Sequence, residues 1–437
     1  MPNSAFIIKN GFIIDPSQNI EGVGDLLVEN GKIAGIYFKN GKKDPKKNGA
    51  ANKEIKTIDA SGRYVLPGLI DMHVHLREPG FEHKENINTG TRAAVNGGFT
   101  SVCCMPNTDP VNDNATVTSY IIKKAREQGI CNVYPIGAIT KAQKGEELAE
   151  FGMMREAGCI GFSDDGHPVT NSLMMRRALE YSKIFDSPII SHCEDLLLAD
   201  SGVMNEGAVS SMLGLKGIPS GAEDIMVARD ILLAKLTGGR LHIAHVSTKC
   251  SVALIRRAKE QGIRVTAETC PHYFTITDKA VIGYNTSAKV NPPLRTEEDI
   301  EAIKEGLRDG TIDVIATDHA PHHKDEKLQE FDKAPSGISG LETALGLSLA
   351  LVRNGVISMK QLAEKMCLNP SLITGVRAGN LKQGSDADIV IIDQDAEFTV
   401  DADKLLSKGK NTPFCGVKLK GLPVITIVKG NIYERQH

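Results

Sequence analysis

The chain has almost no net charge: 51 Lys and Arg face 54 Asp and Glu, a formal balance of −3. That balance argues against a nucleic-acid partner and against a membrane surface. No apolar run approaches the ~20 residues of a spanning helix. The opening residues, MPNSAFIIKNG, lack a signal-peptide layout, since their only apolar run is the four residues from Ala5 to Ile8. Cys-x-x-Cys pairs are missing as well. The nine cysteines, an odd count, are scattered, and they read as reduced thiols of a cytoplasmic protein, most of them filling the core. Repeats and low-complexity tracts are absent too. What remains is a 437-residue chain, 41% apolar and 24% charged, the profile of a soluble globular protein. It exceeds one ordinary domain, and a barrel with an appended module accounts for the length.

Residues 1–66 are short β-like runs punctuated by Gly and Asn, with Asn30-Gly31 as a strong hairpin signal. The basic, turn-rich stretch from Lys39 to Lys53 reads as a solvated loop rather than a phosphate site. From Gly68 to about residue 355, apolar β-branched runs alternate with helix-like segments. Strands are expected to start near Leu69, Thr100, Asn132, Cys159, Pro188, Leu241, Ile263 and Ile312. Helices are expected near 85–96, 113–128, 144–157, 171–185, 222–237, 249–261, 297–309 and 340–353. This rhythm predicts an α/β fold, a (β/α)8 TIM-like barrel. Arg377 to Asp393 and Leu422 to Tyr433 return to the texture of the N-terminus. The expectation is a small β-sandwich domain formed by both chain ends, 1–66 plus 376–437, flanking a barrel over 67–375.

The stretch from Pro67 to Gly80 organises the rest. Strand alternation puts Asp71, His73, His75 and Arg77 on one face and Met72, Val74 and Leu76 on the other. Same-face neighbours lie ~6.6 Å apart, close enough for two imidazoles to share one metal ion with a guanidinium beyond. One such His would read as a buried core residue; two with an Arg read as half of a metal site. In a (β/α)8 barrel the chemistry sits where strands end. Those ends supply Asn107, Asp165, His192, His245, His272, Asp318 and His322. Imidazole and carboxylate are ligands of catalytic Zn2+, whereas Mg2+ favours oxygen. His83, His167 and His437 read as loop or terminal residues. His242 and His245 differ in parity, so one of them should face away from the barrel axis. His272 fits a supporting role or a structural hydrogen bond equally. The charged stretch 323–335 fits both a solvated loop and a lid over substrate.

Several segments are specific enough to carry a likeness. They are Asp71-Met-His-Val-His-Leu-Arg-Glu-Pro-Gly80, Met105-Pro-Asn-Thr108, Phe162-Ser-Asp-Asp-Gly166, Ser191-His-Cys-Glu-Asp195, His245-Val-Ser-Thr-Lys249, Asn291-Pro-Pro-Leu-Arg295, Thr317-Asp-His-Ala-Pro-His322 and Lys408-Gly-Lys-Asn-Thr-Pro-Phe414. Over nearly its whole length the chain resembles the class I bacterial dihydroorotases of the amidohydrolase superfamily. The resemblance implies one or two Zn2+ ions per subunit. His73, His75 and Asp318 would hold the first, His192 and His245 the second, and Asp165 would bridge them. It also implies that Arg77, Asn107 and His322 hold a substrate carboxylate, with Asn291 near the ring and His75, Ser336 and Gly337 completing the contacts. Ser336 stands where the family tends to carry an aromatic, a change that backbone contacts would survive and ring packing would not. Related hydantoinases and allantoinases usually bridge their metals with a carboxylated Lys, and Gly161 to Gly166 offers none. The implied reaction is reversible closure of N-carbamoyl-L-aspartate to dihydroorotate in pyrimidine biosynthesis, by a zinc-bound hydroxide, with Asp318 as acid and base. A homodimer and a complex with aspartate transcarbamoylase are the partners implied besides the small-molecule substrate. The rival readings are another cyclic amidohydrolase and a non-catalytic scaffold relative, although a dead relative should have lost ligands and all six candidates are present.

Overall fold

The β-branched runs of the first segment pair with one another. They form β1 (Ala5–Asp15), β2 (Ile20–Glu29), β3 (Lys32–Phe38), β4 (Lys56–Asp59) and β5 (Tyr64–Pro67). The computed structural model describes residues 5–38 and 55–436, so the basic stretch Lys39 to Lys53 and His437 lie outside the described residues. β1 to β3 form an antiparallel meander. Its second turn is the Asn30-Gly31 pair, with φ of 52° and 74°, the left-handed pair a tight hairpin needs. β4 and β5 run parallel to the two halves of β1.

From Leu69 onward the strands become parallel and buried. They are β6 (Leu69–Val74), β7 (Phe99–Cys104), β8 (Asn132–Pro135), β9 (Phe162–Ser163), β10 (Ile189–Ser191), a small parallel pair β11 (Met204–Asn205) and β12 (Gly217–Ile218), then β13 (Leu241–Ile243), β14 (Val265–Thr269) and β15 (Val314–Ile315). One parallel run is β6-β7-β8 and another is β9-β10-β13-β14-β15. Parallel bridges between Gly137 and Phe162 and between Val74 and His319 join the two runs at both edges. Eight strands therefore close into the expected barrel. Ile70, Met72, Cys103, Ile136, Ile190, Ala244 and Val314 pack together inside it, over a floor of Ile373, Val376 and Ala378. That floor fills one end and leaves the strands' C-terminal ends to polar residues.

The surrounding helices begin and end where the sequence marks them. Asn86, Asn114, Asn171 and Thr248 cap first turns through their side chains. Gly158, Gly238 and Gly310 end helices in the left-handed conformation. One expected helix is corrected: 144–157 is helical only over Phe151–Ala157. Gly145 takes φ +71° and Leu148 forms a β-bridge with Thr140, which removes the segment between them from any helix. The rhythm also gives no sign of the helical turns Met359–Ala363, Glu364–Leu368 and Asn369–Thr374. There Asn369-Pro370 looks like a turn signal, yet Pro370 occupies a first helical turn, where its missing N–H does no harm.

The chain then returns to β16 (Ile389–Thr399), β17 (Lys418–Val428) and β18 (Asn431–Glu434). β16 pairs antiparallel with β5, so both chain ends share one sheet of order β18-β17-β16-β5-β1-β2-β3, with β4 beside β1. Three of these strands, β1, β16 and β17, run 11 residues, longer than the Gly-punctuated sequence implies. Among the described residues no helix is long and apolar enough to cross a membrane.

Candidate metal centre

Strict alternation along β6 does not survive in the structure. The ladder with β7 slips between Asp71 and Val74, and Met72 packs inside the barrel while Val74 and Leu76 pack outside it. The slip accompanies a hydrogen bond from the His73 backbone N–H to the Asp71 carboxylate, which also accepts from the Thr317 N–H. His73 and His75 still converge, with ring centroids 5.5 Å apart. Their second nitrogens are both engaged. His73 Nδ1 lies 2.6 Å from Glu268 Oε1 and His75 Nδ1 lies 2.8 Å from Asn107 Oδ1. Each Nε2 is thereby left to offer its lone pair.

Those lone pairs meet two carboxylates. His73 Nε2 is 3.3 Å from Asp165 and 3.5 Å from Asp318; His75 Nε2 is 3.4 Å and 3.1 Å from the same two. Donor atoms on a tetrahedral ion with bonds of ~2.0–2.1 Å stand roughly 3.3 Å apart, so the set fits a cation. On its other side, Asp165 Oδ1 lies 3.6 Å from His192 Nδ1 and 3.4 Å from His245 Nε2. Asp165 thus belongs to two clusters able to hold metal, one with His73 and His75 and one with His192 and His245. Among the described residues His73 Nε2 and Asp165 Oδ1 are buried without hydrogen-bond partners, an arrangement that costs ~1–3 kcal/mol per atom unless something binds there.

Burial opposes the ionisation of both carboxyls. The imidazoles outweigh it, holding Asp165 well below the usual carboxylate range and Asp318 down at about 2. His245 and Asp318 adopt φ of 34° and 47°, left-handed conformations that a non-glycine residue holds only under tertiary constraint.

A cleft of about 250 Å³ opens above these groups, lined also by Arg77, Asn107, Asn291, His322, Ser336 and Gly337. Larger grooves exist, one of about 680 Å³ between β16, β17 and the barrel, but its lining among the described residues includes no imidazole. Arg77 reaches the cleft by a route the alternation argument does not describe. It lies beyond β6 with φ +61°, and its Nε donates to the Pro321 carbonyl at 3.2 Å. The guanidinium is half-buried, and among the described residues no carboxylate lies within 4.0 Å of it. Burial lowers its pKa to about 10, so it stays charged at neutral pH. His322 Nε2 donates to the Ser336 carbonyl at 2.8 Å, a backbone contact indifferent to the Ser336 side chain. Burial and the cations Arg77, Lys84 and Lys327 drive the His322 pKa down to about 2, so it is neutral. Gly337, at φ +145°, has room for no side chain, because a Cβ there would stand 2.5 Å from the Ala320 carbonyl oxygen.

The sequence reading missed three supporting residues. Glu268 is fully buried in β14 against His73; a lone carboxylate within an apolar strand was its only signal. Glu194 accepts from Asn291 Nδ2 at 3.1 Å. Asn411 clamps the cleft wall, accepting from the His322 N–H and donating to the carbonyls of Ala320 and Gly337. The parity argument for His242 also fails, because β13 ends at Ile243 and the backbone turns at His245. Neither ring leaves the centre: His242 Nε2 is 3.3 Å from Glu268 Oε2. His272 is buried with no hydrogen bond at Nε2, and burial lowers its pKa to about 4. His83 and His167 are exposed, as expected. The 323–335 stretch is not wholly solvated. Lys327 Nζ donates to the carbonyls of Thr286 and Pro335, Lys289 Nζ donates to those of Phe331 and Asp332, and Phe331 is buried.

The family described as dihydro-orotase-like matches residues 62–251. A protein named dihydroorotase from Geobacter metallireducens is 59% identical over 430 residues, 98% of this chain and 99% of that one. The chain belongs to the dihydroorotase family of amidohydrolases. A second dihydroorotase, from Acetivibrio thermocellus, is 57% identical over 431 residues, 98% of this chain and 99% of its own. Among solved structures, an L-hydantoinase (dihydropyrimidinase) from Arthrobacter aurescens superposes with a TM-score of 0.87 at 28% identity, over 100% of this chain and 97% of that one. The barrel described above is thus shared with a solved hydantoinase.

Proposed function

We propose that the chain interconverts N-carbamoyl-L-aspartate and (S)-dihydroorotate plus water, the ring-forming step of pyrimidine (UMP) biosynthesis. It is a cyclic amide hydrolase by family. One arrangement carries the substrate assignment: a half-buried Arg77, with no carboxylate within 4.0 Å among the described residues, faces the same cleft as two His clusters sharing Asp165. A planar two-pronged cation in that place suits a substrate carboxylate.

His73, His75 and Asp318 would hold a first zinc and His192 and His245 a second, with Asp165 between them; the His-rich donor set supports zinc over magnesium. When bound, zinc lowers the pKa of a water to about 7 and polarises a carbonyl. Asp318, ionised at neutral pH, accepts a proton from the attacking water at its carboxylate and returns it to the leaving ring nitrogen. Arg77, the Asn107 amide and His322, whose Nε2–H would turn from the Ser336 carbonyl to the substrate, bind the carboxylate and so fix which ring face meets Asp318. Asn291, held by Glu194, lies beside the ring, and Ser336 and Gly337 contribute backbone contacts.

An Asp at the shared position, with no Lys in Gly161 to Gly166, supports the class I branch. We read 1–66 plus 376–437 as a domain folded as a sandwich, separate from a catalytic barrel over 67–375. One core joining Phe6, Ile8, Leu26, Ile389, Ile391 and Ile427 supports it. The exposed Leu197, Leu232 and Leu236 support a homodimer, while a transcarbamoylase complex and a cytoplasmic location rest on the family likeness alone. The fold match to a hydantoinase favours ring-opening of hydantoin as the second reading. The test is zinc content with turnover of carbamoyl aspartate and of hydantoin, before and after chelation. The proposal expects carbamoyl aspartate turnover that chelation abolishes and Zn2+ restores. Full activity in metal-free protein, or a preference for hydantoin, would overturn it.

A further inference from the structure

Resting on the metal-centre reading above, we propose that Glu268, backed by His242, is a positioning residue that presents His73 to its ion. Nothing in the mechanism uses either residue. Both side chains are fully buried, as is that of His73. Glu268 Oε1 stands 2.6 Å from His73 Nδ1, the length of a strong charge-assisted bond. With a hydrogen committed at Nδ1, the lone pair of His73 sits on Nε2, the atom that faces Asp165 and Asp318 at 3.3 and 3.5 Å.

The other candidate ligands lack this support. His75 Nδ1 meets the neutral amide of Asn107, His192 Nε2 is 3.5 Å from Glu194, and His245 Nδ1 has no hydrogen-bond partner among the described residues. His242 accounts for a carboxylate sitting at the barrel centre. Its Nε2 lies 3.3 Å from Glu268 Oε2, near enough for ionic attraction although neither atom makes a hydrogen bond among the described residues, and its Nδ1 lies 2.8 Å from Thr266 Oγ1. A hydroxyl donating to Nδ1 places the ring hydrogen on Nε2, facing the carboxylate. The line Thr266, His242, Glu268, His73 therefore ends at a metal ligand. A pair that merely filled the core would have no reason to place its shortest bond on that ligand.

The test is the zinc dissociation constant, by chelator competition, of wild type, Glu268→Gln and Glu268→Asp, with KM and kcat measured across zinc concentrations. Glu268→Gln is expected to bind zinc roughly 10–100-fold more weakly. Its kcat should fall at limiting zinc and recover as zinc is raised, with KM unchanged, and Glu268→Asp should regain part of the affinity. Wild-type zinc affinity in Glu268→Gln overturns the inference, as does a raised KM with affinity intact. A wild type that binds no zinc overturns instead the metal-centre reading beneath it. Should Glu268→Gln not fold, histidine-labelled, zinc-loaded wild type decides the matter by NMR. A slowly exchanging, downfield Nδ1–H on His73, assigned by its loss in His73→Asn, supports the proposal; a freely exchanging one overturns it.

Discussion

Replacing Arg77 by Met removes the cation while keeping much of its apolar length. The guanidinium is half-buried, has no carboxylate among the described residues, and spends one donor on the Pro321 carbonyl. Its Nη2 lies 3.3 Å from His322 Nε2, and its other N–H groups are available to a ligand carboxylate. Two charge-assisted hydrogen bonds at ~1.5–3 kcal/mol each make about 3–6 kcal/mol, or roughly 10²–10⁴-fold in kcat/KM. Asn107 and His322 stay in place, so part of the carboxylate recognition survives. Dihydrouracil lacks that carboxylate, and a site built for it should reject the analogue by roughly 10⁴-fold. The assay compares kcat/KM for ring opening of dihydroorotate and dihydrouracil in wild type and Arg77→Met, with zinc content measured on both. The variant should lose dihydroorotate turnover, change little toward dihydrouracil, and keep its zinc. The reasoning is refuted if the wild type opens both rings equally well, or if the variant loses both activities together with its metal.

Asp318→Asn should keep the fold and some zinc but lose most turnover, because an amide oxygen can face the metal yet cannot take the proton; a near-normal kcat would remove Asp318 from that role. Closure of the ring consumes one proton, so the ratio of dihydroorotate to carbamoyl aspartate at equilibrium should fall about tenfold per pH unit on going from mild acid to alkali. A ratio that stays constant would mean another reaction is being measured. His322 has its pKa lowered from 6.5 to about 2, so below pH ~6.5 the unfolded chain binds a proton that the native ring refuses. Stability is therefore lost on acidification, by about 1.4 kcal/mol per pH unit, or about 2 kcal/mol between pH 6.5 and 5. Denaturant titrations should show His322→Asn without that share of the acid-side loss, and identical slopes for both proteins would count against a neutral, buried His322.

Residue type and order determined much of this protein on their own. Alternating apolar runs and amphipathic segments can bury their faces only as βα units, which made the barrel legible. The strand-end imidazoles and carboxylates were legible because the fold gathers strand ends on one face. Local rules failed where tertiary contacts override them. The slip in β6 follows from the Asp71 carboxylate capturing the backbone N–H groups of His73 and Thr317, and so Met72 parts from Val74. Arg77 and His245 reach the centre through left-handed backbone outside their strands, where side-chain parity has no meaning. Glu268, Glu194 and Asn411 act through partners 195, 97 and 89 positions away in the chain. A sequence fixes which groups a chain owns; which nitrogen of an imidazole is free to bind depends on what packs against the other one, and only the closed barrel decides that.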